Sequence, residues 1–361
     1  MFAYINQYFL QHRTVQILLG VLTGLCLAGF LAVFAGESFV RFFAILGAGV
    51  FGTPYDFGIT LYYVSILLLS GLAVTIPIRA GLFNIGAEGQ ILLGALTTVF
   101  LGLSLPAEVP RPVILSIIVF GAALSGALWA ALAGLIRAYR GGHEVISTIM
   151  LNFVAAGFTN WVTIQWMQDP NDPSPVSRTI DPSLMLDRIA VFQDAPVTKF
   201  LFFGIFVSIL TWVMMTFTTF GFRQNVVRSS EKAARVSGIN VPRIQWVSMF
   251  LGGSLAGVAG AVMVLAFAGK FRLGMAEGFG FMGIPVALLA SGHAIAGMAS
   301  AFLFAFLHHG SAAFDLESEF VTRDMVYVMQ ALIVLSVIGV PVLISRFIEI
   351  RRKKNGVLWN T

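Results

Sequence analysis

The sequence predicts an all-α, polytopic membrane protein of about ten transmembrane helices, some interrupted, with two halves that resemble inverted repeats. Three observations carry this prediction. Hydrophobic residues make up 58% of the 361, charged residues only 11%, and Phe alone occurs 33 times. With a mean hydropathy of +0.88, the chain has lipid for much of its solvent. Apolar runs near the roughly 20 residues that cross a bilayer recur along it. Between two of them stands Arg79-Ala80-Gly81-Leu82-Phe83-Asn84-Ile85-Gly86-Ala87-Glu88-Gly89-Gln90, a carboxylate and two amides among glycines. Irregular polar chain survives at membrane depth only where protein buries it or it lines a cavity.

In order, the runs fall near 15–35, 59–78, 91–105, 113–136, 145–167, 200–220, 244–268, 281–291, 295–309 and 325–345. The third, eighth and ninth are short for a full crossing. The first is longer than a typical signal core and no clear small-x-small cleavage site follows it, so it is expected to stay as a helix. Cys26, the single cysteine, lies inside it, which excludes an intramolecular disulfide or a cysteine metal cluster.

An even number of spans returns both termini to one side, and the tail Arg346, Arg351, Arg352, Lys353 and Lys354 marks that side as cytoplasmic. With Arg13, Arg79, Arg137, Arg140, Arg223, Arg228, Lys232, Arg235 and Arg243, this places 14 of the 22 basic residues inside. The external segments take 13 of the 17 acids, including Asp169, Asp172, Asp181, Asp187 and Asp194. The net charge of +5 therefore reflects membrane flanks. With no basic stripe and interleaved aromatics on a soluble domain, nucleic acid is not expected as a partner.

The chain reads as one transmembrane domain, 1–361, whose halves, roughly 1–167 and 199–361, are joined by a Pro- and Asp-rich external loop, 168–198. Two halves of about five spans must insert in opposite senses, and such repeats often place interrupted segments at corresponding positions. Ala87-Glu88-Gly89 follows Pro77 in the first half, and Ala276-Glu277-Gly278 precedes Pro285 in the second.

Asn84 and Gln90 can donate and accept hydrogen bonds, while ionised Glu88 only accepts. They suit bracing of broken backbone, lining of a permeation route, or a proton-coupling carboxylate. The third role lacks the further buried acids of a relay. Glu144, Thr148 and Asn152 stack on one face of the fifth span, with Thr159 and Thr163 near it, a stripe that glues helices or wets a pore. Gly126, Ala130 and Gly134, and Gly253, Gly257 and Gly260, allow close backbone approach. His293, His308 and His309 have no metal-ligand spacing with Cys, Asp or Glu, so no metal site is expected.

The loop 221–243 is expected to hold a helix of about two turns. Ser229 or Ser230 caps it, Glu231 suits its first turn, Gly238 ends it and Pro242 discourages continuation. Lys232 and Arg235 would meet solvent or lipid phosphate, and Ala233, Ala234 and Val236 are small enough to enter another protein's groove. An interfacial linker helix has the same pattern.

The run from Arg79, Glu-Val-Ile-Ser-Thr-Ile-Met-Leu-Asn-Phe from Glu144, and Lys-Ala-Ala-Arg-Val-Ser-Gly-Ile-Asn from Lys232 resemble the permease subunits of bacterial ABC importers for nucleosides and simple sugars, most closely the nucleoside branch. The resemblance runs from the second span through the tenth. It implies a ten-helix permease in the bacterial cytoplasmic membrane, paired with a second, related permease. Further implied partners are an ATPase with two fused nucleotide-binding domains and an external lipoprotein that delivers substrate.

By the same resemblance, Arg228, Ser230, Glu231, Lys232, Ala233, Ala234, Arg235 and Gly238 belong to a coupling helix that docks on the ATPase. The sequence departs from the family at Ser229-Ser230-Glu231, where relatives tend to carry a Gly-x-Asn-Pro-like run. Asn84, Glu88, Gln90, Thr148 and Asn152 are assigned to the translocation pathway or its bracing.

The chain has no Gly-x-x-x-x-Gly-Lys-[Ser/Thr] phosphate loop, no second histidine at zinc-protease spacing after His143-Glu144, and no Gly-x-Ser-x-Gly elbow. No catalytic residue and no cofactor is assigned, and ATP hydrolysis is expected in a partner subunit. The rival expectation is an ion-coupled secondary transporter of a small polar solute.

Overall fold

A computed structural model describes residues 13–106 and 108–354, apart from the side chains at 13, 14, 326, 349 and 351–354. Arg13, Arg351, Arg352, Lys353 and Lys354, used above to orient the termini, thus have side chains outside the described residues. In chain order the helices are α1 (Arg13–Phe34), α2 (Phe39–Phe51), α3 (Pro54–Arg79), α4 (Ala87–Ser104), α5 (Arg111–Arg140), α6 (Glu144–Val162), α7 (Phe200–Phe217), α8 (Thr219–Ser229), α9 (Glu231–Val236), α10 (Val241–Met263), α11 (Phe279–Leu289), α12 (Ala294–Gly310), α13 (Phe314–Glu317) and α14 (Arg323–Lys354). α6 and α10 each run on into a π-helical turn, Thr163–Met167 and Val264–Ala268.

Among the described residues, nine helical stretches are long and apolar enough to cross a membrane. The expected eighth span, already short at 281–291, is not one of them: α11 has 11 residues and follows irregular chain at 269–278. Besides the single turn α13, two helices were not anticipated. α2 is short and apolar, and α8 fills the first part of the loop expected at 221–243.

The chain divides into two compact units. In the unit formed by Met1–Gly52 and Phe306–Thr361, α1 lies along α14. A Cβ added at Gly24 would sit 2.5 Å from the Ile333 Cα, so glycine is what lets these backbones approach. At the corner after α1, buried Glu37 accepts hydrogen bonds from the Ser318 hydroxyl and the Ser38 amide, and the Arg41 guanidinium donates to the Glu317 carbonyl.

In the unit Thr53–Ala305, α10 is the central helix, packed by α3, α4 and α5. Lipid is as apolar as a leucine side chain, so association inside it relies on dense van der Waals contact. The small-residue pattern supplies that contact. A Cβ on Gly257 would lie 2.0 Å from the Ala122 carbonyl oxygen, one on Gly253 would lie 2.4 Å from that of Gly126, and one on Gly94 would lie 2.1 Å from that of Gly257. The segment 168–198 folds onto the same unit. The Ile180 amide donates to Gly269 O (2.9 Å), the Leu186 amide to Leu265 O (2.8 Å), and Arg111 pairs with Asp187 at 3.1 Å.

Candidate functional site

The first break, 80–86, begins with a proline. Pro77 has no N–H to give to the carbonyl of Ala73, its partner one turn back. Asn84 replaces the missing donor: its Nδ2 lies 3.2 Å from Ala73 O. The same amide donates to Gln90 Oε1 (3.1 Å), and its Oδ1 accepts from Gln90 Nε2 (3.0 Å) and the Gly86 amide (3.0 Å). Gly81, at φ 77°, turns the chain out of α3. Asn84 and Gln90 are 0% and 1% exposed, so no capacity is left for solvent.

α6 braces the other side of the break. Asn152 Oδ1 accepts from the Gly89 amide and its Nδ2 donates to the Ile85 carbonyl, both at 2.9 Å. The Gly89 amide is one of the donors that the start of α4 leaves without a helical partner. Thr148 Oγ1 accepts from the Ile85 amide (3.3 Å) and donates to Glu144 O (2.8 Å). Thr148, Asn152, Thr159 and Thr163 are all buried, so the polar stripe of α6 faces into its own unit.

Glu88, in the first turn of α4, reaches across to α11. Its Oε1 accepts from the Gly278 amide and its Oε2 from the Gly280 amide, both at 2.9 Å. The carboxylate thus caps a second helix while standing at the start of its own, where both dipoles favour negative charge. The contact is close: a Cβ on Gly280 would lie 2.2 Å from the Glu88 amide nitrogen. Leaving one such buried donor unsatisfied costs roughly 1–3 kcal/mol.

Asn84, Glu88, Gln90, Thr148 and Asn152 therefore come together as one network that closes broken backbone. Sequence reasoning missed Ser70, whose hydroxyl donates to the Phe279 carbonyl at 2.7 Å, and the pairing of Asn84 with Ala73. Pro77 was the available signal for the second. Nothing in the sequence pointed to the first.

The second break, 269–278, differs. Gly269, Gly274, Glu277 and Gly278 have positive φ (63°, 70°, 49° and 83°). Glu277 pairs with Arg272 at 3.6 Å, and their side chains remain 52% and 47% exposed. Lys270 holds Asp172 of the folded-over segment at 3.1 Å. Among the described residues, no group of three His, Cys, Asp or Glu side chains is placed to hold a metal ion.

In the region 221–243, Ser230 is the N-cap of α9, its Oγ accepting from the Ala233 amide at 3.2 Å; Ser229 ends α8 instead. Gly238, at φ 76°, follows α9. Pro242 lies in the first turn of α10, where its missing N–H costs nothing. Glu231 is an anchor: its Oε1 accepts from Arg137 (3.2 Å) and Gln245 (3.0 Å). Ala234 is fully buried among Ala80, Val227, Val241 and Ile244, so it cannot enter a partner's groove as anticipated. Arg228, Lys232, Ala233, Arg235 and Val236 are exposed, Val236 at 90%.

A family model described as branched-chain amino acid transport system / permease component matches residues 57–338. The chain is 32% identical to the guanosine ABC transporter permease protein NupP of Bacillus subtilis, over 96% of this chain and 98% of that one. It is 33% identical to the glucose ABC transporter permease protein TsgB13 of Haloferax volcanii, over 78% and 76%. It is 28% identical to the nucleoside ABC transporter permease protein NupB of Lactococcus lactis, over 88% of each.

Proposed function

Since the chain belongs to the family of branched-chain amino acid transport system permease components, we propose that it works as one permease of an assembly with a second, related permease, an ATPase and an external substrate-delivering lipoprotein. It is the multi-pass membrane permease subunit of an ABC importer for nucleosides or sugars. The observation that carries this reading is the end-to-end similarity to a guanosine permease.

The termini and the region 221–243 face the cytoplasm, on the strength of the basic residues clustered there. The two halves insert in opposite senses, with α4 and α11 as their interrupted helices. α9 is the lever to the ATPase, offering Lys232, Ala233, Arg235 and Val236, with Arg228 beside them. Glu231 ties that lever to α5 and α10 and Ala234 packs it on α10; α5 in turn packs against α4 and α6, which carry the network, so a push on α9 reaches it. ATP binding shifts the balance between two conformations only through unequal affinity for them.

The test is reconstitution with the candidate partners and measurement of ATP-dependent uptake of guanosine, ribose and glucose. Uptake by this chain alone under an ion gradient would overturn the reading. Val236→Glu with Ala233→Glu is expected to leave folding intact and abolish ATPase association. Transport at the original rate would remove α9 from the lever role.

A further inference from the structure

The depth of the second break follows from two rulers. The Phe279 carbonyl is bonded to Ser70, which lies roughly 13 Å from the Arg79 end of α3 at about 1.5 Å per residue. Glu88, bonded to the Gly278 amide, stands next to Gly89, which is bonded to Asn152, roughly 12 Å from the Glu144 end of α6. Both place the start of α11 near the middle of a hydrocarbon core about 30 Å thick. Glu277 is the residue immediately before Gly278.

A carboxylate at that depth cannot face lipid; it must look into protein or water. Glu277 does not look into its own unit, since its side chain is 52% exposed, and neither does its partner Arg272, at 47%. Glu277 is also held at φ 49°, a conformation an L residue takes at a cost. The turn that holds it is closed by the Glu277 amide on Gly274 O (3.0 Å) and the Phe279 amide on Ala276 O (2.8 Å); the Ala276 and Phe279 side chains are buried, while that of Glu277 is turned outward.

Aromatic rings stand beside the ion pair. Tyr62 lies within electrostatic reach of both Glu277 and Arg272. Its ring is 5.9 Å from that of Phe267, which is 55% exposed, and 5.3 Å from that of Tyr63, which stacks on Phe279 at 5.4 Å.

We propose that Glu277 and Arg272, with Phe267, form a substrate-contacting subsite on the translocation route, and that its ligand is a ribonucleoside. This rests on the importer reading above and adds the residues and the ligand chemistry. A carboxylate that only accepts and a guanidinium that only donates are complementary to the paired hydroxyls of a ribose, each of which does both. Phe267, exposed beside Tyr62, is the aromatic surface assigned to the base. The ion pair keeps both charges compensated when no ligand is bound. The network at Glu88 fixes the height of Gly278 and hence of the subsite, while its own polar atoms are occupied.

The test uses the full reconstituted complex. In a Cys26→Ser background that keeps Glu277, a reporter cysteine at the neighbouring exposed position, Gly274→Cys, is expected to react with a membrane-impermeant methanethiosulfonate, and guanosine is expected to slow that reaction. No reaction, or no protection, overturns the subsite. In uptake assays, Glu277→Gln is expected to reduce guanosine transport roughly tenfold or more, the loss of a charged hydrogen bond. Transport of 2′,3′-dideoxyguanosine should change by less than about twofold, so the preference for the diol collapses. Phe267→Ala should weaken transport of guanosine but not of free ribose. Equal losses for the diol and dideoxy substrates would mean that Glu277 acts only in structure and would overturn the proposal. If the unsubstituted complex moves neither nucleosides nor sugars, the importer reading fails first. If it moves them and the substitutions change nothing, the subsite alone fails.

Discussion

The two breaks carry the same tripeptide and put it to opposite uses. In Ala87-Glu88-Gly89 the glutamate lies one residue inside α4, and its carboxylate turns across to cap α11. In Ala276-Glu277-Gly278 the glutamate precedes the N-cap of α11, adopts positive φ, and points outward with Arg272. A shift of three positions relative to the helix start converts a buried brace into an exposed charge. The first break is therefore closed by its own side chains, whereas the second leaves its charged pair exposed on this unit.

The largest expected effect that could break this contrast is at glycine. Gly280→Leu drives a side chain into the Glu88 backbone and is expected to abolish monodisperse protein in size-exclusion chromatography. Gly274→Ala, at φ 70° with open space beside it, should cost only about 1–2 kcal/mol. Similar behaviour of the two would dissolve the distinction.

Next in size, Glu88→Ala leaves two buried amides without an acceptor and is expected to cost about 2–5 kcal/mol, read as a lowered thermal midpoint in detergent. Glu277→Ala should stay within about 0.5 kcal/mol, the range of an exposed ion pair. Stabilities that fall together would mean that both carboxylates are structural.

Asn84→Leu should cost about 2–4 kcal/mol by orphaning Gln90 and the Ala73 carbonyl. In a double-mutant cycle with Gln90→Leu, the second change should cost clearly less than it does alone. Additive losses would show that the reciprocal amide pair does not act as a unit.

The smallest effect concerns the segment that folds over the second break. The Ser174 amide and then Lys270 hold the Asp172 carboxyl below its ordinary value of 3.8. A carboxylate depressed by the fold contributes stability that is present above that ordinary value and lost as pH falls through the lower folded one. Hydrogen exchange in 168–198 is expected to rise slightly below pH 3.8 in the unsubstituted protein, and to lose that dependence in Asp172→Asn.

Much of this was legible in the chain. Hydropathy located the long spans, four-residue spacing placed Thr148 and Asn152 on one face, and the glycine patterns of α5 and α10 marked both as helices able to approach a neighbour closely. Asn84, Glu88 and Gln90 stood out because polar atoms among apolar runs must be accounted for. Their partners were less so: Pro77 marks the Ala73 carbonyl as short of a donor, but the Gly278 and Gly280 amides are main-chain groups that no residue type announces. The inward turn of Ala234 escaped for a related reason: six residues of helix have too little period to say which side is covered.

By itself the sequence determined that this protein lives in a bilayer, that its helices break where Pro and Gly allow it, and that polar side chains must heal those breaks. These are local consequences of hydration and backbone geometry, and they need no knowledge of neighbours. Only the tertiary structure decided which amide each side chain satisfies and which of two matching glutamates is hidden. Such pairing depends on segments far apart in the chain meeting at one depth, where no water remains to substitute for a missing partner.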